Sequence, residues 1–264
     1  VSIPDGAPTG QVFNATTTFH VSGGGVTVPA RFIFASENGS IDAWSNALPP
    51  APPKVAQSMV TVPGAVYKGL ALGISTAGPR LYAADFHHGR VQVFDGSFQP
   101  VDSPGAFVDP HLPARYAPFN VAVLAGRLYV SYAMQDAVGH DDVAGQGHGF
   151  VDVYDLDGRL VRRLVSRGRL DSPWGMALAP AGFGSFSGDL LVGNFGDGRI
   201  DAYDPMTGEF AGVLMWRPGK PIVIDGLWGL LFGNGVAGSP TTLLFSAGPD
   251  REQHGLFGTI TLAP

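Results

Sequence analysis

Cysteine is absent from all 264 residues, which excludes disulfide cross-links and thiolate metal sites. Charge is scarce as well: Asp, Glu, Lys and Arg together make up 14% of the chain, so its polar surface has to come from Ser, Thr, Asn, Gly and the backbone. Positive charge is the scarcer sign, with 16 Lys and Arg against 22 Asp and Glu and a formal net charge of −6. The basic stripe that tracks phosphates is missing, which argues against a nucleic-acid partner. No run of 18 apolar residues occurs, so no segment reads as a helical membrane span. A signal peptide is lacking too, and the chain opens on Val1 rather than Met, which reads as a processed or partial form.

Gly and Pro, by contrast, are abundant at 38 and 22 residues, and this argues against long helices. Hydrophobic residues make up 45% of the chain, too many for a disordered polypeptide. The plainest local pattern lies between Ser172 and Leu214, where four short apolar runs begin at Gly175, Asp189, Arg199 and Phe210. Asn194-Phe195-Gly196-Asp197-Gly198 separates the second run from the third, and Asp-Gly is a strong hairpin signal. Asp204-Pro205-Met206-Thr207-Gly208 separates the third from the fourth, with Pro setting φ and Gly supplying a positive φ. Four short antiparallel strands in about 40 residues make one blade of a β-propeller.

Two anchors recur along the chain. The first is a small residue opening an apolar run, at Gly10, Gly69, Asn120, Gly175 and Gly229, with steps of 59, 51, 55 and 54 residues. The second is a Gly followed by an alternating strand, beginning at Gly39, Gly89, Gly149, Gly198 and, more weakly, Gly255. Constant order at a period near 50 predicts five repeats in one β-propeller domain over 1–264, with units near 7–60, 65–115, 117–170, 172–222 and 226–264. Gly69, Gly175 and Gly229 are expected on innermost strands, where neighbouring blades crowd together. On the third strand, Ile200 and Ala202 should face one way and Asp201 the other. In the first unit Phe19 to Ser22 reads as an extra strand, Gly23 to Gly25 as a loop, and 47–53 as a Pro-rich connection. Gln135 to Gly147 reads as an insertion between the second and third strands of the third unit, a position suited to a binding loop.

Long segments carry a resemblance: ARFIFASENGSIDAW at 30–44, VYKGLALG at 66–73, YAADFHHGRVQVFD at 82–95, HDDVAGQGHGFVDVYD at 140–155, SPWGMALAPAGFGSFSGDLLVGNFGDG at 172–198 and GPDREQHGLFG at 248–258. The chain resembles an uncharacterised family of exported bacterial β-propellers with NHL-like repeats. The resemblance implies six-bladed geometry, a further blade before Ala7-Pro8-Thr9-Gly10, and a secreted or extracytoplasmic location. It implies no activity.

Polar residues gather in the hairpins joining second to third strands. The candidates for a ligand face are Glu37, Asp85, His87, His88, His140, Asp141, Asp142, Asn194, Asp197, Asp250 and His254, with Asn38, Asp136, His148 and Glu252 beside them. His and carboxylate groups converging from several hairpins at a channel mouth could hold a divalent metal, Ca or Zn, with His87, His140, Asp142 and His254 as its ligands. The plainer reading is that Asp, Asn and Gly serve the turns themselves. The Gly-x-Ser-x-Gly elbow, the phosphate loop and the regular Ca²⁺ loop are all missing. Trp174 and Trp228 could stack on sugars or pack between blades. Two function classes follow. One is an exported binding or scaffold module for a protein, glycan or surface polymer. The alternative is a metal-dependent hydrolase or lyase. Oligomeric state is left open.

Overall fold

The computed structural model describes residues 1–4, 6–50 and 53–262. Among these residues the regular structure is 22 strands and a single 3₁₀ turn at Gly184–Phe186. Frequent Gly and Pro leave apolar runs of four to nine residues, long enough for strands and too short for helices. Residues 51 and 52 of the Pro-rich 47–53 connection lie outside the described residues.

The first sheet contains β1 (Pro8–Phe13), β4 (Phe32–Ser36), β5 (Ser40–Trp44) and β6 (Gln57–Thr61), in the order β1-β4-β5-β6. Between its first two strands stands a separate hairpin of β2 (His20–Gly23) and β3 (Val26–Pro29). The predicted extra strand is therefore present, but Gly23 belongs to it and only Gly24-Gly25 form the turn. Val26 to Pro29 supplies its partner strand.

The second sheet is β7 (Tyr67–Ser75), β8 (Gly78–Asp85) and β9 (Arg90–Asp95). It has three strands where the repeat predicted four. Asp95 turns the chain back by accepting from the N–H groups of Ser97 and Gln99, and Pro100, with no N–H, limits the outer ladder to a bridge. The third sheet is β10 (Tyr116–Leu124), β11 (Arg127–Met134), β12 (Gly149–Tyr154) and β13 (Leu160–Ser166), with the insertion lying between β11 and β12 as expected.

The fourth sheet is β14 (Pro173–Leu178), β15 (Leu190–Asn194), β16 (Ile200–Tyr203) and β17 (Phe210–Val213), close to the four predicted runs. A short hairpin of β18 (Met215–Arg217) and β19 (Lys220–Pro221) follows it. The fifth sheet is β20 (Leu227–Phe232), β21 (Leu243–Ala247) and β22 (Leu256–Ile260). These five antiparallel sheets are the five blades of an all-β propeller fold.

The chain gathers into two compact units. One comprises Val1–Val130, Gln135–Asp141 and Tyr154–Val161; the other comprises Ser131–Met134, Asp142–Val153 and Arg162–Pro264. Each has its own core between consecutive sheets. In the first, Ile33, Ala35, Ile41 and Ala43 of blade 1 pack on Tyr67, Leu70, Leu81, Ala83 and Phe94 of blade 2. In the second, Leu191, Ile200 and Ala202 of blade 4 pack on Leu227, Leu230, Leu243 and Ala247 of blade 5. Each larger side chain buried in this way contributes roughly 1.5–3 kcal/mol. The alternation predicted for the third strand holds: Ile200 and Ala202 enter the core, while buried Asp201 accepts from Arg169 on other ground.

The small anchor residues let one first strand lie against the next. A Cβ on Gly10 would stand 2.6 Å from the backbone nitrogen of Leu70, one on Gly69 2.8 Å from the Cα of Asn120, and one on Gly175 2.5 Å from the carbonyl oxygen of Trp228. Gly229 differs, because its nearest atom is the Oγ of Ser246 in its own sheet, at 2.8 Å. Register shifts fall beside these anchors, between Pro8 and Gly10, Tyr67 and Gly69, and Pro173 and Gly175. Each leaves Thr9, Lys68 or Trp174 in a β-bulge, which re-aims that side chain.

Candidate functional site

In the first unit the bulge places Lys68 among the predicted polar residues. Its side chain is 4% exposed, and its Nζ donates to Glu37 Oε1 and, at 3.2 Å, to Asp141 Oδ1. His140 Nδ1 lies 2.9 Å from the same Asp141 oxygen. Glu37 comes from the β4–β5 hairpin, Lys68 from the first strand of blade 2, and His140 and Asp141 from the insertion. A single buried cation thus ties three segments together. Burial pushes the Asp141 carboxyl up, but the His140 hydrogen bond and the Lys68 charge outweigh it and hold the group below the usual carboxylate range.

The insertion is shaped by its own turn chemistry. Asp136 Oδ1 accepts from the N–H groups of Val138 and His140, at 3.1 and 2.9 Å, and these bonds lower its carboxyl, the His140 one most. Gln135 Nε2 donates to the carbonyl of Phe86 at 2.5 Å and of His87 at 3.3 Å, which seats the loop on the β8–β9 hairpin. There Asp85 is fully buried, and its Oδ2 takes His88 Nδ1 at 2.8 Å and Arg90 Nε at 3.1 Å. The exposed His87 ring stands edge-on to His88, with centroids 5.1 Å apart. The structure therefore brings Glu37, His140 and Asp141 together around Lys68, and Asp85 together with His88.

In the second unit Asn194 is a framework residue. Its Nδ2 donates to Asp201 Oδ2 at 3.2 Å and to the Arg169 carbonyl at 3.3 Å, and its Oδ1 accepts from the N–H of Asp171 at 3.1 Å. Burial raises the Asp201 carboxyl, against the Arg169 and Asn194 bonds that favour its ionised form. Asp171 Oδ1 in turn accepts from the N–H of Gly145 at 2.6 Å, anchoring the second half of the insertion. Replacing Asn194 with Ala strips these partners from buried groups, and is expected to cost about 2–3 kcal/mol. The midpoint of urea unfolding measures this directly.

Asp197 serves its own turn, accepting from the N–H and the Nη1 of Arg199, both at 3.0 Å. Asp142 is half-buried in this unit, and His148 Nδ1 lies 2.8 Å from the Val143 carbonyl. His254 is 72% exposed and 3.8 Å from the equally open Asp250. Trp174 and Trp228 meet edge to face, with centroids 5.1 Å apart, and Phe195 lies against Trp228 at 4.5 Å. Trp228 Nε1 donates to Glu252 at 2.6 Å. The packing alternative fits these two tryptophans, since their faces are taken up by one another and by Phe195. Among the described residues no three His, Cys, Asp or Glu groups are disposed to hold a metal ion. Of the four residues expected as metal ligands, His87 and His140 belong to the first unit and Asp142 and His254 to the second.

Lys68 is the member of this site that sequence reasoning passed over. The signal was available: it is the residue directly before an anchor glycine, the bulge position.

Three sequence relatives belong to Acanthamoeba polyphaga mimivirus. "Uncharacterized protein R648" is 35% identical across 96% of the chain and 62% of its own length. "Uncharacterized protein L690" is 34% identical across 96% of the chain and 67% of its own length. The chain belongs to the family of these proteins. It spans about two thirds of the length of these two relatives. Family membership thus rests on viral proteins, and the bacterial source implied by the resemblance draws no support from them. No protein-family model matches the chain.

Among solved structures, a nidogen/laminin complex aligns with a TM-score of 0.55 at 15% identity, over 91% of the chain and 72% of the other. A gluconolactonase from Xanthomonas campestris aligns at 0.53 and 17%, over 87% and 72%. A streptogramin B lyase aligns at 0.52 and 11%, over 100% and 72%. At such identities the likeness is one of fold.

Proposed function

We propose that the chain is a binding or scaffold module that holds a protein or glycan partner with the hairpin ends of its blades, the 135–147 insertion foremost. The observation that carries this reading is the Lys68 cross-tie. It fixes segments of three blades through saturated charge pairs, which suits a rigid recognition frame better than proton transfer. Outside that frame stand exposed groups suited to contact, among them Asn38, His87 and Val138. No helix among the described residues is long and apolar enough to cross a membrane. The hydrolase or lyase alternative has only the fold-level likeness to the gluconolactonase and the lyase behind it.

Six-bladed geometry belongs to the same proposal. Leu81, Ala83 and Phe94 of blade 2 are fully buried in the core shared with blade 1. Their counterparts in blade 1 are Phe32, Phe34 and Trp44, of which the first and last pair in register and all three line an open cavity of about 680 Å³ with Val1 and Ile3. A preceding blade would cover that face. The extracytoplasmic setting is proposed on the resemblance alone.

The test places a photo-cross-linking amino acid at Val138 of the protein and, in parallel, applies the protein to a glycan array. A discrete adduct or a glycan signal is expected, falling about tenfold on His87→Ala in either arm and on Val138→Asp in the glycan arm. Stoichiometric metal together with turnover of an ester or lactone, and no such binding, would replace this reading with the enzymatic one.

A further inference from the structure

Between blades 4 and 5 the β18–β19 hairpin stands apart from both sheets. Its base is pinned at the hairpin end of blade 4. The N–H of Leu214 donates to Ile200, that of Ile222 to Leu214 and that of Ile224 to Gly198, each at 2.9 Å. All of these residues belong to the second unit. The turn is Arg217-Pro218-Gly219-Lys220, in which Pro218 fixes φ at the first central position and Gly219 takes φ +74° at the second. The hairpin is therefore stiff, and every residue from Met215 to Lys220 is exposed.

Three of its features run against stability. Trp216 is 70% exposed, whereas Trp44, Trp174 and Trp228 are half-buried. The register sets Arg217 directly opposite Lys220, and like charges so placed repel. Arg90, Arg163, Arg169 and Arg199 each face a carboxylate. No Asp or Glu occurs between Glu209 and Asp225, and among the described residues neither Arg217 nor Lys220 forms an ion pair. Carboxylates are the commoner charge in this chain, so the two cations are not unpaired for want of partners. Local preferences are given up in this way where a site has another use.

A register shift between Met215 and Arg217 puts Trp216 in a bulge, which re-aims its ring. The Arg217 guanidinium stands 5.5 Å from the ring centroid, and Lys220, its partner in register, shares its face of the hairpin. One open aromatic ring thus lies beside two uncompensated cations. We propose that this hairpin binds an acidic glycan. The C–H face of a sugar ring would lie on the electron-rich face of Trp216, and the sugar's carboxylate or sulfate would sit between Arg217 and Lys220 and relieve their repulsion. The proposal rests on the binding-module reading and names the partner of one hairpin end. A membrane fits less well, because the apex is Arg217-Pro218-Gly219-Lys220 and the cations would enter ahead of the tryptophan, the reverse of an interfacial anchor. A protein interface covers about 800 Å² on each side, whereas one ring and two cations match one or two sugars.

The probe is a β-linked oligoglucuronate, titrated into the whole chain by calorimetry, with the glucose oligomer of the same linkage and length as neutral control. The acidic oligomer is expected to bind with a Kd below about 1 mM and about tenfold more tightly than the neutral one. Trp216→Ala should weaken it about tenfold, as should Arg217→Gln combined with Lys220→Gln. Melting temperatures should stay unchanged, since these side chains are exposed, and Trp216→Phe should keep most of the binding. Added salt should weaken the wild-type chain and not the double variant. Equal binding of the two oligomers, binding indifferent to these variants, or none at all overturns the proposal. Two further arms name the rivals. Adsorption to vesicles of roughly 30% phosphatidylserine in phosphatidylcholine that Trp216→Ala abolishes would make a membrane the partner. An oligoglutamate bound as tightly as the acidic sugar would make it an acidic protein segment. Either result overturns the glycan. Because Val138 and His87 belong to the first unit, a failure here with the Val138 adduct still formed strikes this proposal alone.

Discussion

Gly175→Ala is expected to lower the melting temperature by about 5–10 °C, the equivalent of about 3 kcal/mol in a chain of this size. The added methyl carbon would stand 2.5 Å from the carbonyl oxygen of Trp228 and 2.9 Å from Leu230 Cγ. The first of these is backbone of the next blade's first strand, so relief requires moving a strand rather than turning a side chain. Valine at this position should do worse, since its two γ carbons enter the same gap. Gly229→Ala is the internal comparison. Its nearest obstacle is the Oγ of Ser246, which also accepts from the N–H of Gly229 at 3.0 Å. A small hydroxyl can rotate, so the loss there should be clearly smaller. Equal losses at 175 and 229 would mean that strand-to-strand crowding is not what selects glycine. Thermal melts of the two variants decide the matter.

The comparison between those two glycines marks how far the sequence could be read. Period and anchor spacing placed the five repeats, the insertion, and the first and third strands of each unit, because alternation and turn chemistry are local properties. Spacing gave both glycines the same role, and only the approach of neighbouring chains separates them. Of the β2–β3 hairpin the first strand was legible, and its partner escaped because Val26 to Pro29 is short and ends in proline. Among the site residues, Glu37, His140 and Asp141 were legible as polar hairpin residues, yet nothing in their spacing announces that they meet. What joins them is Lys68, an apolar strand's only cation, turned by a bulge that has no composition signal of its own. Asn194 and Asp85 were legible as polar and proved to be buried framework; for Asn194 that distinction depends on partners distant in sequence, Arg169 and Asp171.

Lys68→Met should cost about 3 kcal/mol in unfolding free energy, read as the shift of the urea midpoint at neutral pH. Methionine keeps most of the packing volume of the buried stem, so the loss reports the charge. Removing it leaves Glu37 and Asp141 facing one another without a cation, and Glu37 is largely sheltered while Asp141 is 65% exposed. The openness of Asp141 keeps the cost at the lower end of what breaking a buried pair exacts. Glu37→Gln in the same chain should recover part of it, because the remaining repulsion is then gone. Acid supplies an independent arm. Asp141 in the folded chain sits below its unfolded value, so its contribution is present above the ordinary carboxylate range, near pH 4, and is lost as pH falls through the folded value. Lys68 is one of the groups that hold it down. The gap in stability between the wild-type chain and Lys68→Met should therefore narrow as the solution is taken below that range. Exchange of the amides from Asp136 to Asp141 should also quicken in the variant, since Asp141 is the insertion's link to blade 2 through Lys68. A variant with unchanged stability and unchanged protection over that segment would show that the cross-tie neither holds the loop nor supports the recognition surface proposed for it.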